Sequence, residues 1–134
     1  MIQLSKDRVL SLHRLLAEST GCSTGVRDEA LLASALESPF AGFGETAFYP
    51  TPEEKGARLG FCLIANHAFV DGNKRIGVLS MLTFLAVNGI RLCYTDEDLV
   101  HVGLSVADGS MSCQDLLAWI IAHKEPGSNA RRDH

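Results

Sequence analysis

The sequence predicts an all-α domain, a bundle of about six helices around one central buried helix at residues 73–88. Apolar residues recur at helical spacing through most of the chain, and Ser, Thr and Pro stand where helices begin. Residues 76–90 carry no charge and are too short to span a membrane, which is typical of a core helix. A strand-like stretch is expected only in residues 40–50, as a short flap loop or hairpin.

Composition indicates a single domain that works in the cytoplasm. The 134 residues are 46% hydrophobic and 21% charged, as in an ordinary globular domain with its own core. The net charge of −4 argues against direct nucleic-acid binding, and the N-terminus lacks an export signal. The four cysteines form no C-x-x-C pair, so reduced thiols without structural zinc are expected. We assign residues 1–124 to the domain and residues 125–134 to a disordered tail.

Two helices are predicted before residue 40. Ser5 precedes a segment whose apolar residues are spaced for one helix face, and that pattern is lost by residues 19–21. These apolar residues are Val9, Leu10, Leu12, Leu15 and Leu16. We place His13 of this segment on the protein surface. After a Gly/Ser/Thr loop, residues 27–38 have the pattern of a second helix, which Pro39 ends.

Residues 40–50 have no helical period and are rich in glycine and aromatic residues, which indicates a loop or hairpin. We expect Phe40 to pack beneath the domain. Thr51 and Pro52 then begin a third helix, with Glu54 placed to complete a capping box. This helix is predicted to run to about residue 66, where the next residue is His67.

The stretch after the third helix, residues 67–75, reads HAFVDGNKR and directly precedes the central helix. The first turn of a helix has unpaired N–H groups and the positive end of the helix dipole, so it attracts phosphate. Gly72 lets the backbone approach a ligand, and Asn73 stands at or near the N-cap position. Lys74 and Arg75 add positive charge beside these amides. The stretch therefore predicts a phosphate-binding site.

Two residues of the same stretch are suited to catalysis. His67 offers a general base, because histidine titrates near neutral pH. Asp71 is a hard oxygen ligand suited to Mg²⁺, and Phe69 is expected to hold the loop in the core. Each residue alone would more often be structural, since Asp-Gly-Asn by itself is usually a turn. The functional interpretation depends on their combination at this spacing before a helix.

Two further helices complete the predicted bundle. Thr95 opens the fifth helix by the same capping logic as Thr51. Ser112, with Asp115 three residues later, opens the last helix. His101 and His123 lie on these helices without a partner cluster in the sequence, so we expect them to be solvated or to cap helix ends.

The chain resembles the Fic/Doc family over roughly residues 25–122. Residues 67–75 match the signature H-x-F-x-[DN]-[AG]-N-K-R of its death-on-curing (Doc) branch at every position. Similarity extends to GVRD at residues 25–28, to YPT at residues 49–51 and to NG at residues 88–89. The resemblance implies a Fic/Doc-type helical bundle around the central helix.

The resemblance also implies a toxin of a type II toxin–antitoxin pair, which halts growth by modifying a protein target, expected to be a translation factor. The wider Fic family transfers AMP to a protein hydroxyl, whereas the Doc branch resembles a protein kinase in outcome. Fic enzymes carry a second Gly where this chain has Lys74 and a second Arg where it has Val78. Because a lysine adds bulk and charge where the phosphates approach, transfer of the terminal phosphoryl group of ATP is favoured.

In this scheme His67 accepts the proton of a Ser or Thr hydroxyl as that hydroxyl attacks the terminal phosphorus. Asp71 holds Mg²⁺ between phosphate oxygens, and the amides and cations of residues 72–75 offset the charge of the transferring group. The resemblance implies the catalytic residues His67, Asp71, Lys74 and Arg75, and the phosphate-binding residues Gly72, Asn73, Lys74 and Arg75.

Two partners are implied by the resemblance. Part of residues 40–50, including Phe43, Gly44 and Tyr49, is expected to form a flap that holds the target polypeptide. Some Fic proteins restrain themselves with an inhibitory helix in which Glu precedes Gly or Asn, and no Glu here is followed by either. Restraint is therefore expected from a small antitoxin with a disordered segment that folds on binding, in a groove near the first helices or the flap.

Two other functions stay open from the sequence. A Fic-type protein adenylyltransferase would transfer label from the α-phosphate of ATP, whereas a kinase would transfer label from the γ-phosphate alone. A non-catalytic binding module would act as a co-repressor with its antitoxin or would sequester a translation component. Such a module would have no use for both His67 and Asp71.

Overall fold

The computed structural model describes residues 1–21, 23 and 25–127. Within these residues the chain forms six α-helices and one short hairpin, which confirms the predicted all-α class. The helices are α1 (Lys6–Thr20), α2 (Glu29–Glu37), α3 (Pro52–Asn66), α4 (Asn73–Val87), α5 (Asp96–Ala107) and α6 (Cys113–Ala122). Strands β1 (Gly42–Phe43) and β2 (Thr46–Ala47) pair antiparallel, with Gly42 opposite Ala47. Cys22 and residues 128–134 of the predicted tail lie outside the described residues.

Helix α4 lies at the centre of the bundle and packs most closely against α3. Helices α1 and α5 flank α4, while α2 and α6 pack against α3. Glycines bring the two central helices together: a Cβ atom on Gly77 would lie 2.5 Å from Cγ1 of Ile64 and 3.1 Å from the carbonyl oxygen of Gly60. This contact fixes the end of α3 relative to the start of α4, and the predicted site lies between those two helix ends.

Hydroxyl side chains cap the helix N-termini where the sequence predicts them. The Ser5 Oγ accepts a hydrogen bond from the N–H of Arg8. Complete capping boxes open α5, at Thr95, and α6, at Ser112. The box predicted at Thr51 is only half formed, because Oε1 of Glu54 accepts from the Thr51 hydroxyl at 3.0 Å rather than from the Thr51 N–H.

The capping carboxylate of Asp98 makes the stability of α5 dependent on pH. The Thr95 N–H donates to Asp98 Oδ2 at 2.9 Å and holds the pKa of this carboxyl below its ordinary value of 3.8. The ionised form therefore stabilises the fold fully above about pH 3.8, and this contribution is lost as the pH falls through the lower folded pKa.

We expect Asp98→Asn to lower the free energy of unfolding at about pH 7, and we expect this disadvantage to be smaller at a pH well below 3.8. The asparagine keeps the size of the side chain but removes the charge that titrates. Denaturant unfolding of both proteins at the two pH values measures the effect. An equal difference between parent and variant at both values would contradict the assignment.

Two details of the first helices differ from the prediction. Leu15 is 62% exposed and does not share the buried face of α1. Helix α2 begins at Glu29, with Asp28 as its N-cap, instead of at residue 27. The start is delayed because the N–H groups of Arg27 and Asp28 donate to the carbonyl oxygen of Ala68, so they are engaged with a distant loop.

Backbone pairing ties the remaining segments to the bundle. The N–H and carbonyl of Ile2 both bond to the side-chain amide of Asn88, each at 2.8 Å. Lys124, which follows α6, forms an antiparallel bridge with Leu92, which lies between α4 and α5. The Glu125 N–H donates to the Arg91 carbonyl. In the described part of the chain, no helix has the length and apolar character needed to traverse a bilayer.

Candidate active site

The loop between α3 and α4 has left-handed backbone at both ends. Helix α3 ends at His67, whose φ is 50° and ψ is 48°. Gly72, with φ at 76°, stands at the N-cap of α4. Glycine adopts this conformation readily, but a histidine rarely does, so the conformation of His67 must be imposed by its surroundings. The His67 side chain is exposed.

Inside this loop, Phe69 and Asn73 hold each other in place. The Phe69 side chain is 1% exposed and belongs to the core. The Asn73 side chain accepts from the Phe69 N–H at 3.0 Å and donates to the Phe69 carbonyl at 3.0 Å. Asn73 is the first residue of α4, so its side chain closes the loop and its backbone faces the helix end. Phosphate binding by Asn73 stays a prediction. Because the Asn73 side chain is bonded to Phe69, the predicted contact would be made by the Asn73 N–H.

His13 of α1 supports the loop from the core, which corrects its predicted surface position. The side chain is 1% exposed, its ring stacks on Phe69 with centroids 4.0 Å apart, and Nε2 donates to the Asp71 carbonyl at 2.8 Å. His13 lies four residues from Val9 and from Ala17, both of which are buried. That spacing was the signal that could have placed His13 on the inner face.

The sequence-predicted site residues lie around one cleft of about 510 Å³. Helix α1 contributes its C-terminal end at Thr20 and Gly21. The loop and the first turn of α4 contribute His67, Val70, Asp71, Gly72, Asn73, Lys74 and Arg75. Among the described residues, no side chain caps the N-terminus of α4. The cleft therefore combines an exposed histidine, a carboxylate, free helix amides and two cations.

The carboxylate of Asp71 suits one kind of metal binding. The side chain is exposed, and its Oδ1 accepts from the Gly72 N–H at 2.9 Å, which fixes the carboxylate beside the helix end. Within the described ranges, no cluster of three or more His, Cys, Asp or Glu side chains could hold a metal ion without help. Mg²⁺ is usually held by one or two carboxylates together with substrate phosphates, and Asp71 fits that arrangement.

The flap, residues 40–50, exposes part of its aromatic surface. Phe43 is 82% exposed, Gly44 has φ at 61° at the hairpin turn, and Tyr49 is partly buried. Phe40 packs edge-on against Phe84 of α4, as predicted, with ring centroids 6.1 Å apart. Target docking by Phe43, Gly44 and Tyr49 stays a prediction.

Lys55 anchors both ends of the flap, a role that sequence analysis missed. Its Nζ donates to the carbonyls of Pro39 at 3.1 Å and Tyr49 at 2.6 Å, and it lies 4.9 Å from the centroid of the Phe40 ring. The side chain is 6% exposed, and burial lowers the pKa of its ammonium group below the ordinary value of 10.5. A lysine on the inner face of an amphipathic helix was the available signal.

We expect Lys55→Met to release the flap while leaving the helices folded. Methionine fills much of the same volume but leaves the two carbonyls without a donor. Amide hydrogen exchange at Phe48, whose N–H donates to the Ala41 carbonyl, should accelerate by about tenfold or more. Exchange in α4 should stay as in the parent, and exposed Lys6→Met serves as the control. Unchanged exchange at Phe48 would show that Lys55 does not hold the flap.

Comparison with known proteins identifies the family. The family model described as Fic/DOC family matches residues 3–85, which include the whole of the site loop.

The chain belongs to the Fic/DOC family. A protein named Toxin Doc from Mycolicibacterium smegmatis is 43% identical to it over 67 residues, which are 50% of this chain and 52% of that protein. The chain thus spans about half the length of this curated relative.

Proposed function

We propose that this Fic/DOC chain is the toxin of a toxin–antitoxin pair and transfers the terminal phosphoryl group of ATP to a Ser or Thr hydroxyl of a protein target. The target class expected from the family resemblance is a translation factor. One observation carries the proposal: an exposed histidine shares a cleft with the uncapped N-terminus of α4 and two cations. The family match and the similarity to a protein named Toxin Doc support the toxin role.

The α4 end of the cleft is suited to the nucleotide phosphates. The first-turn N–H groups point out of the helix at its positive end, and Gly72 carries no side chain to block their approach. Lys74 and Arg75 are exposed at the same end and line the cleft. Both add charge that stabilises phosphate oxygens as negative charge builds up during transfer.

His67 is suited to the proton transfer that the reaction requires. As the target hydroxyl oxygen bonds to the γ-phosphorus, the bond between that phosphorus and the β–γ bridging oxygen breaks and ADP leaves. The imidazole of His67 accepts the hydroxyl proton. Asp71 would hold Mg²⁺ together with the phosphates. When bound, the ion neutralises charge on the β- and γ-phosphate oxygens.

Two positions favour terminal phosphoryl transfer over AMP transfer. Lys74 stands where Fic enzymes carry a second Gly, and its side chain adds bulk and charge at the helix end. Val78 stands where they carry a second Arg, and its side chain is 6% exposed and lines an apolar groove. The apolar Val78 side chain supplies no charge to a nucleotide phosphate, unlike the Arg of Fic enzymes.

Labelled ATP tests the reaction class. The purified protein is incubated in bacterial lysate with Mg²⁺ and with ATP labelled at either the α- or the γ-phosphate. Label on a protein band from γ alone is the expected result, and mass analysis of that band identifies the target. Label from the α position would establish AMP transfer instead. No label from either would favour the non-catalytic binding module.

A second surface fits the proposed antitoxin. An apolar groove of about 360 Å³ runs between α1, α4 and α5 and ends at Lys74 and Arg75. Exposed Leu104 and Val100 both line it, at 51% and 61% exposure. An amphipathic segment with an acidic end would cover both the leucines and the two cations. Such a partner would close the phosphate end of the cleft, because Lys74 and Arg75 line both surfaces.

We expect Leu104→Glu to free the toxin from its antitoxin without changing its activity. The side chain is half exposed and lies away from His67, so the fold and the transfer reaction should persist. Co-expression of each toxin with a candidate antitoxin measures rescue of growth. Rescue of the parent and not of the variant is the expected pattern. Equal rescue of both would place the antitoxin on another surface.

A further inference from the structure

We propose that Arg27 is a positioning residue for His67, and that its guanidinium holds the histidine in the left-handed conformation that presents the imidazole to the cleft. The effect on catalysis rests on the function proposed above. The geometric claim does not, and it has a separate test.

The backbone of His67 is the reason why a positioning residue is needed. Helices that end in a left-handed residue usually place glycine there, since a Cβ atom is disfavoured in that conformation. Of the described non-glycine residues, His67 alone has a positive φ. A glycine at this position would fit the chain reversal but would remove the imidazole. The histidine therefore requires contacts that hold it in this conformation.

The Arg27 side chain supplies such contacts at the end of α3. Its Nε donates to the carbonyl of His67 at 2.6 Å, and its Nη2 donates to the carbonyl of Asn66 at 3.1 Å. The last carbonyls of a helix have no partner within the helix, and they form the negative end of its dipole. A planar guanidinium can satisfy two of them at once, which also fixes the direction of the peptide that follows His67.

The backbone around Arg27 is fixed against the same loop. The N–H groups of Arg27 and Asp28 both donate to the Ala68 carbonyl, at 2.8 and 3.1 Å. The Val70 N–H donates to the Gly25 carbonyl at 2.9 Å, and Val26 forms an antiparallel bridge with Phe69. The backbone that carries the Arg27 side chain is therefore paired with the site loop. Arg27 and the site loop form one rigid unit, within which the guanidinium contacts His67.

Removal of the guanidinium should change both the conformation of His67 and the rate of catalysis. When the carbonyls of Asn66 and His67 no longer accept hydrogen bonds from Arg27, His67 can relax toward the common right-handed or extended conformations. A displacement of about 1 Å at a reacting group can cost about a hundredfold in rate. Nucleotide binding should change little, because the N-terminus of α4 and its two cations do not contact Arg27 in any of the bonds described.

The experiment compares Arg27→Ala, Arg27→Lys and, as the matched control, exposed Arg8→Ala. The backbone ¹³C chemical shifts of His67 report its φ and ψ, and steady-state kinetics give kcat and the KM for ATP. We expect Arg27→Ala to move the His67 shifts out of the left-handed range and to lower kcat by about a hundredfold, with KM within about twofold. Arg27→Lys should give intermediate His67 shifts and an intermediate kcat, because an ammonium group cannot reproduce the two parallel N–H donors of the guanidinium. Arg8→Ala should match the parent.

Several outcomes decide the inference. Parent-like His67 shifts in a folded Arg27→Ala protein would overturn it. A raised KM with unchanged kcat would also overturn it, since Arg27 would then bind the nucleotide. If Arg27→Ala does not fold, the same His67 shifts are measured in Arg27→Lys. Parent-like values there would overturn the inference that the guanidinium holds the His67 conformation. If the parent transfers no label, the proposed function fails while the shifts still decide the positioning claim.

Discussion

Replacement of His67 by alanine is expected to lower phosphoryl transfer by about 10²- to 10⁴-fold, the range that a positioned general base contributes. Alanine removes the imidazole that accepts the proton of the attacking hydroxyl. The His67 side chain is exposed and contributes little to the core, so the fold should be preserved. The change also replaces one non-glycine residue at positive φ with another, so the strain of the turn is little altered.

Transfer of γ-label to the target band measures this effect. His101→Ala is the matched control, because it removes an exposed histidine of α5 that does not line the cleft. Circular dichroism and the melting temperature should be the same for the parent and both variants. Transfer by His67→Ala at the parent rate would exclude His67 as the general base.

Replacement of Gly77 by alanine is expected to lower the free energy of unfolding by roughly 2 kcal/mol. The new Cβ would lie 2.5 Å from Cγ1 of Ile64 and 3.1 Å from the carbonyl oxygen of Gly60, so α3 and α4 would have to move apart. Alanine favours a helix over glycine by about 1 kcal/mol. The clash outweighs this gain, because one of the two neighbours is backbone and cannot rotate away.

Denaturant unfolding compares Gly77→Ala with Gly103→Ala, a matched change in α5. A Cβ on Gly103 would lie 3.3 Å from Cβ of Lys74, a contact that a small shift relieves. That variant should stay within about 1 kcal/mol of the parent. Because the α3–α4 contact also fixes the two helix ends at the cleft, Gly77→Ala should lower transfer as well. Equal stability of the two variants would show that the central contact is not tight.

Local sequence was sufficient for most of the helices. Ser5, Thr95 and Ser112 cap helices where their side chains predict, since a cap is decided by atoms within one helical turn. The uncharged run of α4 identified the central helix for a similar reason. Errors arose where distant partners compete: residues 27 and 28 were expected in α2, but their N–H groups are bonded to Ala68.

The candidate site shows the same difference between features decided by local sequence and features decided by distant residues. Its histidine, carboxylate and two cations lie within one contiguous stretch, 67–75, so the sequence by itself could place them together at the start of a helix. The residues that hold this stretch are far away in the chain. His13 and Arg27 contact it across 58 and 40 residues. Lys55 bonds to the carbonyl of Pro39, just before the flap, across 16 residues.

By itself, the sequence determined the fold class, the central helix and the composition of the cleft, because periodicity, caps and a contiguous motif depend on neighbours in the chain. Only the tertiary structure decided which isolated polar residues are buried and what they bond. The buried His13 and Lys55 and the exposed Arg27 look like any other polar residues in the sequence, since their partners are backbone carbonyls that carry no sequence signal. Those partners come within reach only when helices that are distant in the chain pack together.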